Sequence, residues 1–317
     1  MEIIKCPKCN GELEVTEYKA RCWNRRCNNE ESIVDIIASY YENKEFNYII
    51  ELSDDILSHV WVEESCDKVE GELKEDKQCE EEKQKVFRIK SNDEKKIIAD
   101  ILYFNVLALV NIKLYEKANE MIEAAINIMQ ELRECGFLED SMKLARLLIY
   151  RGTFYRNMGQ IIWCTEDYGI ALEIMEEFIN KEDIDITKKY TELLIERGVA
   201  FEEFEMLEEA LEQYIKAYDI RVNLVKRDIE YLDEYLSVCH EVVKVLDLLE
   251  EYQRIIKYVE EMDELVEGKN IIDEGEKSII EINKIMIKAE EQERKRVAKE
   301  LKKEKGNFFS KIFKKKS

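Results

Sequence analysis

Proline is almost missing from this sequence, Pro7 being the only one in 317 residues, and glycine is scarce at ten. With so few residues that break or turn a chain, helices can run long, and the composition argues against an all-β fold. Histidine occurs only at His59 and His240. There is no glycine-rich phosphate loop, no His-Glu-x-x-His and no nucleophile with an evident base, so the residues give little support to an enzyme. No run of about 18 apolar residues occurs, which leaves no segment expected to span a bilayer as a helix. A signal-peptide pattern is also missing, and the nine cysteines are an odd number, four of them at a metal-type spacing. A reducing cytosol is therefore the expected compartment, in preference to a disulfide framework.

Charge is what the chain has in quantity. Charged residues make up 38% and hydrophobic ones 45%, the balance of long helices with large solvated faces. The formal charge is -22, so the body should repel nucleic acid and anionic membrane wherever no local segment reverses the sign. One segment does. Arg294 to Ser317 holds eleven Lys or Arg against Glu300 and Glu304, a net of +9 that leaves -31 for the rest of the chain. Phe308, Phe309, Ile312 and Phe313 fall within about 140° on a helical projection, while Ser310, Lys311 and Lys314 face the other way. Residues 291–317 thus form a basic amphipathic tail with two competing uses. It can touch an anionic membrane peripherally through those four apolar side chains, or fold back on the acidic body as a latch.

Between about Ala99 and Val266 one pattern recurs at a period close to 46 residues. Gly152, Tyr155, Cys164, Tyr168 and Ala171 return at the same spacings as Gly198, Phe201, Ala210, Tyr214 and Ala217. A degraded copy lies upstream at Val106, Leu109, Ala118, Ile122 and Ala125, and another downstream at Val243, Leu246, Ile255, Val259 and Met262. A small residue set 12 positions before another, as Gly198 is before Ala210, lets two antiparallel helices approach closely where they cross, with the aromatics filling the space around them. Each unit therefore reads as a helical hairpin. Ser91 with Glu94 forms a capping box that opens the first repeat helix, and Gly136 is placed to end the second.

At these positions the chain resembles the tetratricopeptide repeat (TPR) family, whose pattern is Gly, an aromatic three residues later, then Ala-x3-aromatic-x2-Ala. The family's usual period is about 34 residues and a proline usually closes its second helix. Here, without a terminator, a second helix such as Glu166 to Lys181 can run on and absorb the additional residues. The period alone favours a HEAT or armadillo array, with units of about 40 to 47 residues, whereas the small-residue spacing favours the TPR resemblance.

The first 30 residues carry Cys6-Pro7-Lys8-Cys9 and, after a gap of 12 residues, Cys22-Trp23-Asn24-Arg25-Arg26-Cys27. Four thiolates can close a tetrahedral Zn2+ site, and Gly11 to Arg21 alternates like a short hairpin that presents both pairs to one metal. The segment looks like a zinc ribbon, although its second pair is spaced by four residues and not two. With Cys6, Cys9, Cys22 and Cys27 filling every position, the zinc would be structural and would supply the folding free energy that so small a segment lacks. Lys5, Lys8, Lys19, Arg21, Arg25 and Arg26 give the ribbon a basic surface, either a contact for nucleic acid or protein or a solvated knob.

Ser32 to Tyr41 and Phe46 to Trp61 read as two amphipathic helices of a leading hairpin. Glu63 to Gln84, with ten acidic and four basic residues, reads as a solvated helix or a disordered spacer, with Cys66 and Cys79 as ordinary thiols. After Gly268, apolar residues from Ile271 to Met286 lie at helical spacing, so the segment to about Ala289 should cap the array.

The expected fold is thus mostly α, an α-solenoid of antiparallel helical hairpins with a small zinc ribbon. Its segments are ribbon 1–30, hairpin 31–62, acidic linker 63–91, array with capping helix 92–290 and basic tail 291–317. The family resemblance implies a non-enzymatic scaffold or adaptor that holds a protein or peptide on the concave face made by the first helix of each hairpin. Positions beside the packing residues would place Asn111, Arg146, Arg156, Asn157, Glu202, Glu203, His240 and Lys244 along that groove. The family's two-Lys-plus-Asn clamp for a C-terminal carboxylate is not found in full. Two alternatives stay open, a regulator that senses a peptide by closing on it, and a nucleic-acid-associated adaptor that reads through the ribbon.

Overall fold

The chain was analysed as a computed structural model, which describes residues 6, 9, 13–16, 19–22, 30–64, 84–87, 91–138, 140–179, 184–267 and 273–314. They fall into two compact units, Met1–Phe154 and Tyr155–Ser317. Most of the ribbon's loops, with Cys27, lie outside the described residues, as do Cys66 and Cys79.

The first unit opens on a three-stranded antiparallel sheet of β1 (Leu13–Thr16), β2 (Lys19–Cys22) and β3 (Glu30–Ser32), with β2 in the middle. Leu13 stands opposite Cys22 and Thr16 opposite Lys19, the hairpin expected between the two cysteine pairs. The last residue of β3, Ser32, is also the N-cap of α1 (Ile33–Glu42), its Oγ accepting from the Asp35 N–H. α2 (Phe46–Val60) follows, then β4 (Trp61–Glu64) and β5 (Gln84–Phe87), which pair antiparallel. The linker expected at 63–91 lies mostly outside the described residues, and its described ends at 63–64 and 84–87 fall in this pair of strands. The two strands, Trp-Val-Glu-Glu and Gln-Lys-Val-Phe, have the β-branched and aromatic residues a ladder favours, a signal hidden beneath the charge of the intervening stretch.

α3 (Asn92–Asn111) begins at Ser91, whose Oγ accepts from the Glu94 N–H, and pairs with α4 (Tyr115–Glu134). Gly136, at φ 74°, ends α4, as its position in the sequence implies. α5 (Ser141–Asn157) passes from the first unit into the second. The second unit continues with α6 (Ile161–Glu176), α7 (Ile184–Glu202), α8 (Leu207–Arg227), a 3-10 turn (Ile229–Tyr231), α9 (Leu232–Leu248), α10 (Tyr252–Val266) and α11 (Asp273–Lys314). α6 stops short of the Lys181 expected for it. Its end tightens into three-residue bonds, Glu177 N–H to Ile174 O and Phe178 N–H to Met175 O, and the long period is met by length in both helices of a hairpin.

All twenty repeat positions are buried except Tyr155, which is half-buried. The small residue at Gly198 is required by contact. A Cβ there would lie 2.5 Å from Cε1 of Tyr214, so the α7 backbone rests directly on the tyrosine ring of α8. Tyr218 of α8 is ringed by Tyr235 of α9, 5.5 Å between centroids, and Tyr258 of α10, edge-on at 5.0 Å.

The turns inside the hairpins are one structure made five times. Lys44, Lys113, Gly159, Glu205 and Glu250 all have φ between 58° and 72°. The next residue's N–H reaches back five residues in each case, from Glu45 to Tyr40 O, Leu114 to Leu109 O, Gln160 to Tyr155 O, Met206 to Phe201 O and Glu251 to Leu246 O, at 2.9 to 3.0 Å. This is the left-handed cap that satisfies the last carbonyls of a helix. Its acceptor is the second position of the repeat pattern, so α1 and α2 form a further copy that the sequence conceals. In that copy Ile37, Ile49, Ser53 and Ile56 take the remaining positions, all buried.

Candidate functional site

The first helices of the second unit, α7 and α9, with the last turn of α5, carry most of the residues expected to line a groove, and their side chains reach from one first helix to the next. Arg156 sits three residues before the left-handed Gly159. Its guanidinium donates through Nε (3.0 Å) and Nη2 (2.5 Å) to the two oxygens of Glu203, and through Nη1 to Glu196 at 2.7 Å. A planar fork on a carboxylate is the strongest form of such a pair. It holds the Glu203 carboxyl below the usual range, the Arg156 hydrogen bond being the main cause, and raises the guanidinium's own pKa.

A second network starts one residue earlier on α7. Glu202 accepts from the Tyr214 hydroxyl at 3.1 Å and meets Lys244 of α9 at 3.1 Å. Lys244 also donates to Glu241, whose other oxygen lies 3.6 Å from His240 Nδ1. Burial alone would raise the Glu241 carboxyl, but the hydrogen bonds from His240 and Lys244 outweigh it and lower it. Burial likewise opposes the charge on Lys244, and Glu241 with Glu202 raises its pKa in spite of that. Each network therefore holds two carboxylates to one lysine or arginine, a surplus of negative charge. Lys188 of α7 adds another rung to α9, 3.2 Å from Glu234.

Five of the eight expected residues, Arg156, Glu202, Glu203, His240 and Lys244, are thus gathered in these two networks. Asn157 is exposed. The other two belong to the first unit. Arg146 donates to the Tyr103 hydroxyl of α3 at 2.7 Å, beside an ion pair between Lys143 and Asp100 at 2.6 Å. Burial raises the Tyr103 pKa and the Arg146 charge pulls against it. Asn111 turns back on its own helix, donating to Leu107 O at 2.8 Å. Most of these contacts join residues 40 to 47 apart, the repeat period expressed as side-chain rungs. Choosing positions beside packing residues finds the face, but the partner that each side chain takes is set by stacking and lies a whole repeat away.

Of the expected metal ligands, Cys6 is buried, Cys9 is exposed and Cys22 ends β2, while Cys27 lies outside the described residues. The array holds buried thiols of its own, Cys164 and Cys239. Burial pushes Cys164 up to about 11 and Cys239 up to about 12, which leaves both protonated and inert at neutral pH. The tail residues Phe308, Phe309, Ile312 and Phe313 belong to α11, whose helical backbone continues unbroken past the expected boundary at 290 to Lys314.

One set of residues escaped the sequence reading. Met158, Ile162 and Trp163 at the turn between α5 and α6, and Phe204 and Met206 at the turn between α7 and α8, are 38% to 72% exposed. Met158 and Phe204 both stand just before the left-handed turn residue, so apolar exposure recurs with the repeat. Their only sequence signal is a large apolar residue at a turn.

No protein-family description matches the sequence, and no curated protein matches it. Among solved structures it is similar to BtubC (BKLC) from P. vanneervenii, at 15% identity over 76% of this chain and 84% of that one, with a TM-score of 0.47. It is also similar to the nearly identical TPR-like repeats assigned to a kinesin light chain of Podosopora anserina, at 12% identity over 73% and 92% of the two chains, TM-score 0.45. YrrB, a TPR protein with an unusual peptide-binding site, is similar at 13% identity over 73% and 84%, TM-score 0.42. Likeness at this level fixes neither a family nor a partner.

Proposed function

We propose that the chain is a non-enzymatic scaffold or adaptor of TPR-like hairpins, cytoplasmic, whose partner is a basic segment of a protein or peptide bound across α7, α9 and the last turn of α5. The observation that carries this reading is the charge of the two rung networks. Glu196 and Glu203 outnumber Arg156, and Glu202 and Glu241 outnumber Lys244, on helices whose apolar sides are used up in packing. A lysine or arginine from a partner can take the surplus carboxylate oxygens, whereas an acidic segment would have to displace them. Glu196 and Glu203 are 56% and 45% exposed, so rim charges of this kind should set association rate and salt dependence more than lifetime. Affinity capture from the source cytosol by the full-length chain should return a partner that elutes with salt. Glu196→Lys with Glu203→Lys should reduce its recovery while the helicity stays unchanged. Equal recovery by the doubly reversed chain removes this face from the site. Compaction of the chain on adding the captured partner would make it a sensing regulator and not a passive scaffold.

The ribbon belongs to the same proposal as a structural module. Cys6, Cys9, Cys22 and Cys27 would hold Zn2+, and four thiols in two close pairs along the sequence are the donor set for a closed tetrahedral centre. Bound there, the metal supplies folding free energy and no open coordination position. Contact of the ribbon with nucleic acid is the alternative use of its basic residues, and it would show as steep salt dependence lost on deleting residues 1–30.

A further inference from the structure

α11 is too long for the helices it packs on. Its 42 residues make about 63 Å of helix, at 1.5 Å per residue. α9 and α10 have 17 and 15 residues, about 25 and 22 Å. Among the described side chains, the seat on them runs as far as Glu293. Ile282 and Ala289 are fully buried, Lys288 pairs with Asp247 at 2.6 Å, and Gln253 donates to Glu293 at 2.8 Å. From there on, ion pairs run along the helix itself, Arg294 to Glu290, Lys295 to Glu291, and Arg296 to Glu293 and Glu300, while Val297 is 45% exposed. That is the pattern of a solvated helix.

We infer that the part of α11 beyond Glu293 is an interfacial arm that lays onto an anionic bilayer surface. Its helical backbone continues to Lys314, another 21 residues or about 32 Å. Lys302, Lys303, Lys305, Lys311 and Lys314 accompany Phe308, Phe309, Ile312 and Phe313, which share one side of the helical projection. Cations alone would suit any polyanion. Four large apolar residues on one side of the same helix call for a phase they can enter, which a bilayer interface offers and a phosphate backbone does not. A bilayer would also draw the arm through its negative surface potential. The acidic body does not cancel this attraction. Phe308 lies 15 residues beyond Glu293, about 22 Å along the helix, whereas the Debye length at physiological salt is about 8 Å. Nor can a continuous helix seated on α9 and α10 bend back onto those same helices without a break. No helix among the described residues is long and apolar enough to cross a membrane, so the contact is peripheral.

The test is co-sedimentation of the full-length chain with vesicles of phosphatidylcholine alone or with about a third phosphatidylserine. The chain should pellet with the anionic vesicles only, and raising salt from about 0.05 to 0.5 M should release it, since the Debye length shrinks roughly threefold. Ser at Phe308, Phe309, Ile312 and Phe313 should lower the partition at least about 100-fold, with an unchanged melting curve. Lys302→Glu with Lys303→Glu should weaken it with the apolar face intact. Three outcomes overturn the inference: a chain left in the supernatant with anionic vesicles at low salt, equal binding to neutral vesicles, and binding unchanged in the Ser variant. Crosslinks from the tail lysines to the acidic helices of the same molecule, with no vesicle binding, would assign the arm to a latch.

Discussion

Gly198 and Tyr214 carry the repeat at the residue scale. The conserved spacing within the chain, an aromatic 16 residues after a glycine, comes from the need to rest a ring on bare backbone, since a Cβ at Gly198 would sit within 2.5 to 2.9 Å of three ring atoms. A ring lodged between α7 and α8 cannot withdraw as a flexible chain end could. Gly198→Ala should therefore cost about 1 to 3 kcal/mol through overpacking, although alanine is the better helix former. Tyr214→Leu in the same chain should recover part of the loss, because it removes the ring atoms. Urea unfolding of the two single variants and the double variant checks this, and additive losses would mean that the two residues do not meet. Ser53 shows the opposite departure. It takes the aromatic position of the first hairpin, buried, with its hydroxyl without a partner among the described residues, and together with Ile37 and Ile49 at the small-residue positions it hides the copy in the sequence.

At the scale of the element, the hairpin turn is uniform and its residues are not. Only Gly159 among the five turn residues tolerates its left-handed backbone without strain; Lys44, Lys113, Glu205 and Glu250 adopt it against their preference. Their sequence signal is nil, since lysine and glutamate mark no turn, whereas Ser91 and Gly136 were legible because capping chemistry names them. The helices were legible for the same physical reason. Apolar spacing follows from burial against a neighbour, while rungs such as Arg156 to Glu203 depend on a stacking geometry that no local window contains. Replacing Glu205 or Glu250 by Gly should stabilise the chain by up to about 1 kcal/mol. Gly159→Ala should destabilise it by a similar amount through strain, because none of the described residues lies within 4 Å of the Cβ it would add. Thermal melts of the three variants should move in those opposite directions. Glycine at all of these turns would weaken the chain only if the left-handed conformation were not theirs.

For the whole molecule the question is how far the ribbon and the helical hairpins depend on one another. They meet at a residue with two duties, Ser32, which ends β3 and caps α1, and α1 also packs against β2 and β3. The sheet of β1, β2 and β3 has only short strands and too little apolar surface to stand alone, so metal bound by Cys6, Cys9, Cys22 and Cys27 would provide on the order of 10 kcal/mol toward folding it. The hairpins from α3 onward owe the metal nothing, because each buries its own repeat positions against its neighbour, and coupling in such arrays runs between nearest neighbours. Chelation should therefore unfold the sheet and fray the first turn of α1, where the Ser32 cap is lost, at a cost of about 1 kcal/mol to that helix. The main melting transition should stay in place. Metal analysis should find one zinc per chain, and Cys9→Ser or Cys27→Ser should reproduce the chelated state. Amide exchange resolved by segment would separate the cases: protection lost in β1 to β3 and at the start of α1 alone supports two modules sharing one cap, whereas loss spreading through α3 and α4 would make the ribbon part of the array's own core.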